Sequence, residues 1–213
     1  MTRGLVSGCA VVAALGAVAF AGSASGDLLA GWSFNGLSTP VASSIAADHG
    51  AGTLDLSAFT AGLSWQAGTD LNAWSGDPAG EGLGVTGTGA NGKSAVFTVS
   101  SAGYKGLALS MAVRTTGTGH VSSVVEAWNG AGWVLVSGFT LTPSTWSTSS
   151  FDLSSKSFLD DGAATLRIRF EGATSSQGNF RLDNVKFEGT AVPAPAALAL
   201  MGTALSVGRR RRK

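Results

Sequence analysis

The chain has 213 residues, of which 31 are glycine and one is cysteine, and its formal net charge at pH 7 is +1. That charge is uneven, because Arg3 and the terminal run Arg209–Lys213 hold six of the 14 Lys and Arg, leaving eight cations against 13 acids, or −5, between them. A body of that sign argues against nucleic-acid binding, which relies on cationic patches, and its length of about 165 residues suffices for one domain with a good core.

At the N-terminus, Arg3 precedes an apolar stretch, Leu5–Phe20, followed by the small residues "AGSASG". One cation, an apolar region and small residues at a cleavage point describe a secretory signal peptide, placed at 1–26. Cys9 lies inside this leader, so the exported chain has no cysteine and no disulfide. Its stability has to come from core burial, with bound ions as a second source.

The following segments read as strands. "AGWSFNG" places Trp32 and Phe34 on one face, and "SAVFTVS" does the same with Ala95, Phe97 and Val99. "KGLALSMAVRTT" alternates Leu107, Leu109, Met111 and Val113 with smaller or polar residues, a period of two with one face inward. "VVEAWNGAGWVLVSG" predicts a hairpin turning at Asn129–Gly132, with Trp128 and Trp133 paired across it in the core. Trp32 and Trp146 also read as core. "FTL", "SSFDLS", "TLRIRFEG" and "FRLDNVKFEG" supply further strands. Roughly eight to ten short strands and no convincing helix between the termini predict an all-β domain over 27–190. The expected form is an antiparallel two-sheet β-sandwich of jelly-roll type.

Several motifs match on paper only. "GTGANGKS", Gly87–Ser94, fits the phosphate-loop pattern, but the chemistry needs a strand before the loop and a helix after it. Here a strand follows, so no nucleotide is expected. His49 and His120 are the only histidines and there is no catalytic cysteine, which leaves no triad. Glu81, Glu126, Glu171 and Glu188 are isolated, which leaves no glycosidase carboxylate pair. Two histidines without H-x-x-x-H spacing make a poor zinc site. The chain therefore reads as non-catalytic and without a resident cofactor.

Two features point towards ligands. Trp65 and Trp74 fall in "LSWQAGTDLNAWSGDPAGEG", which reads as a long loop. Their rings either stack on sugar, whose C–H face suits an aromatic face, or cap the end of the sandwich. In "FRLDNVKFEG" the apolar parity slips between Leu182 and Val185. That slip predicts a β-bulge at Asp183–Asn184, and the two side chains together could also ligate calcium through oxygen.

The chain ends in "VPAPAALALMGTALSVGRRRRK". It reads as a Pro-containing motif, an apolar helix over Ala196–Val207 and five cations, Arg209, Arg210, Arg211, Arg212 and Lys213. Twelve helical residues rise ~18 Å against a hydrocarbon core of ~30 Å, which makes the segment marginal as a permanent anchor. The cations would stay in the cytoplasm. This segment, 191–213, resembles the PEP-CTERM sorting signal of Gram-negative bacteria. Val192, Pro193 and Pro195 match that signal's motif, whereas Ala194 stands where Glu is usual. The resemblance implies export, transient retention in the inner membrane and processing by an exosortase-type enzyme. A simple tail anchor is the alternative. "WSTSSFDLSS" through "LRIRFEGATSSQGNFRLDNVKFEGT" resembles the final strands of ectodomains in such proteins, jelly-roll domains distantly similar to carbohydrate-binding modules. The expectation is a structural or adhesive protein of the cell surface or extracellular matrix. A module recognising extracellular polysaccharide is the alternative.

Overall fold

The computed structural model describes residues 26–193. All of the expected signal peptide except Gly26, and the tail from Ala194 through Pro195 to Arg209–Lys213, lie outside the described residues, as does the expected terminal helix. Two antiparallel sheets make up the fold. The strands are β1 (Asp27–Trp32), β2 (Ser44–Ala46), β3 (His49–Gly50), β4 (Gly52–Asp55), β5 (Leu63–Ala67), β6 (Glu81–Thr86) and β7 (Ser94–Ser100). They continue as β8 (Tyr104–Thr115), β9 (Ser122–Trp128), β10 (Trp133–Thr140), β11 (Ser147–Asp152), β12 (Ala163–Arg169) and β13 (Asn179–Ala191). Among the described residues the only helical elements are two 3-10 turns, Thr88–Ala90 and Ser157–Leu159. No described helix is long and apolar enough to cross a membrane.

The first sheet runs β11-β8-β13-β1-β3, with β6 and then β5 added alongside β13. The second runs β10-β9-β12-β7-β4-β2. They face each other across one apolar core. Trp32 of the first sheet meets Phe97 of the second edge-on at 5.1 Å, and Phe97 lies 5.8 Å from Phe187. Period-two patterning explains this arrangement. Leu107, Leu109, Met111 and Val113 on β8, and Leu166 and Ile168 on β12, are all buried, while Arg167 and Arg169 point outward. Each large side chain removed from water contributes ~1.5–3 kcal/mol, so this interface dominates the stability.

β13 holds the first sheet together. Its first half pairs β6 from Asn179↔Thr86 to Leu182↔Leu83, and its second half pairs β1 from Val185↔Trp32 to Gly189↔Asp27. β8 runs along its other side. Between Asp183 and Lys186 the register shifts against Ala112 and Ser110, three steps on β13 to two on β8. This is the bulge that the parity slip predicts. Asn184 takes it up with φ of 46°, a left-handed conformation that Asn tolerates better than most residues.

Three tryptophans differ from expectation. Trp128 is 39 % exposed and Trp133 half-buried, because Val125 and Ala127 take the inward side of β9 and leave the indoles outside the second sheet. Trp146 is half-buried in the loop before β11 instead of lying in the core. Phe34 is buried, but it lies beyond β1 with φ of 58°.

Candidate functional site

The long segment Gly68–Gly80, between β5 and β6, folds back over the outer face of the first sheet and is fastened to the bulge. Asp183 Oδ2 accepts the Thr69 N–H at 2.7 Å and Oδ1 accepts the Asn184 N–H at 2.8 Å. Asn184 Nδ2 donates to the carbonyls of Thr69 and Leu71 at 2.7 and 2.9 Å. Asn72 Nδ2 answers by donating to Asn184 O at 2.7 Å and Ser110 Oγ at 3.2 Å. Glycine lets the segment sit this low: a methyl group on Gly68 would collide with Asp183 Oδ2, and one on Gly82 would lie 3.0 Å from Leu182 O. Burial pushes the Asp183 carboxyl up to about 7. Its two backbone N–H bonds oppose that shift, and the charge of Asp77 adds to it. The polar groups of Asp183 and Asn184 are thus engaged in holding the loop. Among the described residues no cluster of three or more His, Cys, Asp and Glu could hold a metal ion.

Trp74 rides on this loop, 39 % exposed. Its ring lies 6.1 Å from that of His49, whose Nε2 is 2.9 Å from Asp77 Oδ2. The notch beneath Trp74 has a volume of about 10 Å³, room for one water.

Trp65 lies elsewhere and in different surroundings. It stands on β5, not in the loop, and is half-buried with its Nε1 donating to Ser38 O at 3.0 Å. Phe34 supports it, with ring centroids 6.1 Å apart and planes inclined by 35°. The indole forms one wall of a cleft of about 320 Å³. Ser38, Ser44, Ile45 and Asp48 contribute to the rest, β2 being the edge strand of the second sheet. Asp48 Oδ2 fixes this corner by accepting from Ser33 N at 2.6 Å, Ser33 Oγ at 3.0 Å and Phe34 N at 3.3 Å. Trp74 lines the small notch and Trp65 the larger cleft, and the two cavities share no lining residue.

The outer face of the second sheet has a network that the sequence does not reveal. Glu126 Oε2 accepts from Arg167 Nε at 2.8 Å and Arg169 Nε at 3.2 Å, and Arg169 Nη1 also donates to Glu171 Oε1. Burial raises the Glu126 carboxyl, but the bonds and charges of the two arginines outweigh it and leave the pKa below the usual value. The Arg167 guanidinium lies 4.4 Å over the Trp133 ring, a cation–π contact. Trp133 in turn meets Trp128 edge-on at 5.5 Å. His120 is fully buried, 5.6 Å from Phe170, with both ring nitrogens unpartnered. Its Gly-rich surroundings in sequence give no sign of this. Gly87–Ser94 leads into β7, a strand, and Lys93 lies 5.9 Å from the Phe59 ring centroid. Val192 donates its N–H to Gly103 O at 2.8 Å, and Val192 and Pro193 are exposed.

No protein-family model and no curated protein match this chain. Solved structures similar to it include the CBM22-1 xylan-binding domain of Xyn10C from Paenibacillus barcinonensis. That likeness has 15 % identity, covers 79 % of this chain and 97 % of that one, and has a TM-score of 0.44. The K1 cleaved adhesin domain of Lys-gingipain from Porphyromonas gingivalis W83 also has 15 % identity, with 76 % and 98 % coverage and a TM-score of 0.44. A family 29 carbohydrate-binding module, CBM29-2, has 11 % identity, 83 % and 95 % coverage and a TM-score of 0.39. Likenesses of this size assign neither a ligand nor an activity.

Proposed function

We propose that the chain is an exported, surface-associated β-sandwich module of jelly-roll type that binds extracellular polysaccharide and has no catalytic role. The observation that carries this reading is the Trp65 cleft. Its volume of about 320 Å³ falls within the ~300–1,000 Å³ of ligand clefts. Its aromatic wall is held by the Ser38 bond and by Phe34. An indole face suits the C–H face of a sugar ring, and Ser38, Ser44 and Asp48 offer polar groups for its hydroxyls. Trp65→Ala is expected to weaken glycan binding roughly tenfold, about 1.4 kcal/mol, whereas Trp74→Ala leaves it unchanged. Glycan-array binding that survives Trp65→Ala sinks the cleft assignment. A matrix-associated protein that binds no glycan would instead be structural or adhesive.

The reading includes sorting through the C-terminus. The chain would leave by its signal peptide and pause in the inner membrane through Ala196–Val207. An exosortase-type enzyme would process it near Val192–Pro195. In support, β13 ends at Ala191 and the Val192 N–H is bonded to Gly103 O, so the motif begins where the folded body stops. Mass spectrometry of the mature C-terminus is expected to find it truncated, and an intact Lys213 refutes processing.

A further inference from the structure

The outer face of the first sheet is open beyond the Gly68–Gly80 segment, and two arginines stand side by side there. Arg181 on β13 is paired directly with Arg114 on β8, which puts their Cβ atoms ~4.5–5.5 Å apart. Like charges in that position are unfavourable. Burial, then the charge of Arg114, lower the Arg181 pKa. Among the described residues neither guanidinium has an acidic partner within 4.0 Å. Among the described residues the arginine salt bridges join Arg167 and Arg169 to Glu126 and Glu171 on the other sheet. Asp183, two residues along β13, turns its carboxylate to backbone N–H groups instead. Arg181 Nη1 donates to Ala67 O at 3.2 Å, which engages one of its five N–H donors.

Thr115, Thr116, Ser144 and Asn179 join the two arginines around a depression of about 40 Å³. One water needs ~10–15 Å³, so the space holds about three waters and matches the head of a carboxylate or sulfate group. The setting is selective in charge, because a body of net charge −5 keeps two unpaired cations together here. Alongside, Arg181 is paired with Gly84 on β6 and Gly84 with Ser64 on β5. The row Ser64–Gly84–Arg181–Arg114 therefore crosses four strands, about 14 Å at ~4.8 Å per strand, with the Gln66 side chain lying over Gly84.

We propose that this depression binds an anionic group carried by a polysaccharide, a uronate carboxylate or a sulfate ester, between the guanidiniums of Arg114 and Arg181. Guanidinium donates to two oxygens of such groups at once, and a bound anion relieves the repulsion between the two cations. The inference rests on the polysaccharide reading for its polymer. The site itself is separate, since it shares no lining residue with the Trp65 cleft.

The test is affinity electrophoresis of the purified full chain in gels containing polygalacturonate, dextran sulfate or neutral dextran. Retardation by at least one of the two acidic polymers is expected, with weakening at high salt. Binding should fall at least tenfold in Arg114→Gln/Arg181→Gln. That variant should melt no lower than wild type, because it removes a like-charge contact. Arg114→Gln alone, with a smaller loss of binding, provides the same test should the double variant not fold. Unchanged retardation in the variants overturns the proposal, as does a wild-type chain that neither acidic polymer retards. Sodium sulfate that competes as well as dextran sulfate at equal sulfate concentration would overturn the polymer in favour of a free ion. Trp65→Ala should leave the acidic-polymer shift in place. Loss of neutral-glycan binding in Trp65→Ala, with acidic-polymer binding intact in the arginine variants, rejects this site and leaves the cleft standing.

Discussion

Replacing His120 with leucine removes an imidazole whose two nitrogens are buried without partners and whose pKa burial lowers from 6.5 to about 4. The unfolded chain takes up that proton below pH 6.5, the folded chain only below about 4, so acid favours unfolding across this window. At ~1.4 kcal/mol per pH unit the loss reaches about 3 kcal/mol. Asp183 has the opposite sign. Burial above all raises its carboxyl from 3.8 to about 7, so the folded chain keeps a proton that the unfolded chain has released. Stability from this group is full below pH 3.8 and is lost as pH rises to about 7, by about 4 kcal/mol. The two slopes oppose each other between pH 4 and 6.5, and wild type is expected to be nearly level there. Urea unfolding at several pH values from about 4.5 to 6.5 separates them. His120→Leu should gain roughly 1 kcal/mol for each unit of acidification, and Asp183→Asn should lose about as much. At pH 7 the leucine variant should already be more stable by ~1–3 kcal/mol, because it removes a buried donor that no acceptor meets. A leucine variant with the pH slope of wild type, or an NMR titration of His120 near 6.5, refutes the reasoning.

Three further outcomes follow from the same structure. Asn184→Ala loses two bonds to the loop and forces alanine to φ of 46°, about 2–4 kcal/mol in all. Asn184→Gly should be milder by about 1 kcal/mol, and both should speed hydrogen exchange at Thr69–Trp74; equal losses would remove strain from the account. Gly50→Ala, at φ of 69° with its methyl against the Leu29 carbonyl, should cost at least about 2 kcal/mol in chemical unfolding. Gly92→Ala, at φ of 80° with nothing within 4 Å, should cost about 1 kcal/mol. Calorimetry with calcium and with a chelator should give the same melting temperature within about 1 °C. A calcium-dependent rise that Asp183→Asn abolishes would assign an ion to the bulge.

The strands that read clearly in the sequence are those with one face buried. β7, β8 and β12 alternate because the core requires it, and β8 matches its predicted inward residues one for one. β5 leaves no such trace. Leu63, Ser64, Trp65 and Gln66 are all half-buried, so an edge strand with no dominant face looks like loop, and Trp65 is misplaced with it. On β9 and β10 alternation predicts the Trp128–Trp133 pairing but not its side, because both faces of the hairpin carry apolar residues and Val125 and Ala127 fill the inner one. The Arg114–Arg181 pair depends on register between β8 and β13, 67 positions apart in sequence, which no local pattern encodes.

The bulge was legible because it displaces side chains, and its partners were not because they lie more than 100 residues away. Its position has a structural reason. β13 changes neighbour from β6 to β1 between Leu182 and Val185. A strand without the extra residue would carry its parity through, turning Val185 and Phe187 outward while Phe180 and Leu182 stayed inside. The added residue restores both pairs to the core, where all four are buried. It leaves Asp183 and Asn184 at the junction with polar groups that need partners, and the Gly68–Gly80 segment supplies them. The same segment covers this part of the face, beside the paired Arg114 and Arg181, whose depression includes no residue of Gly68–Gly80. One inserted residue in β13 therefore explains both why the loop that carries Trp74 is fastened where it is and why the arginine pair lies just beyond its edge.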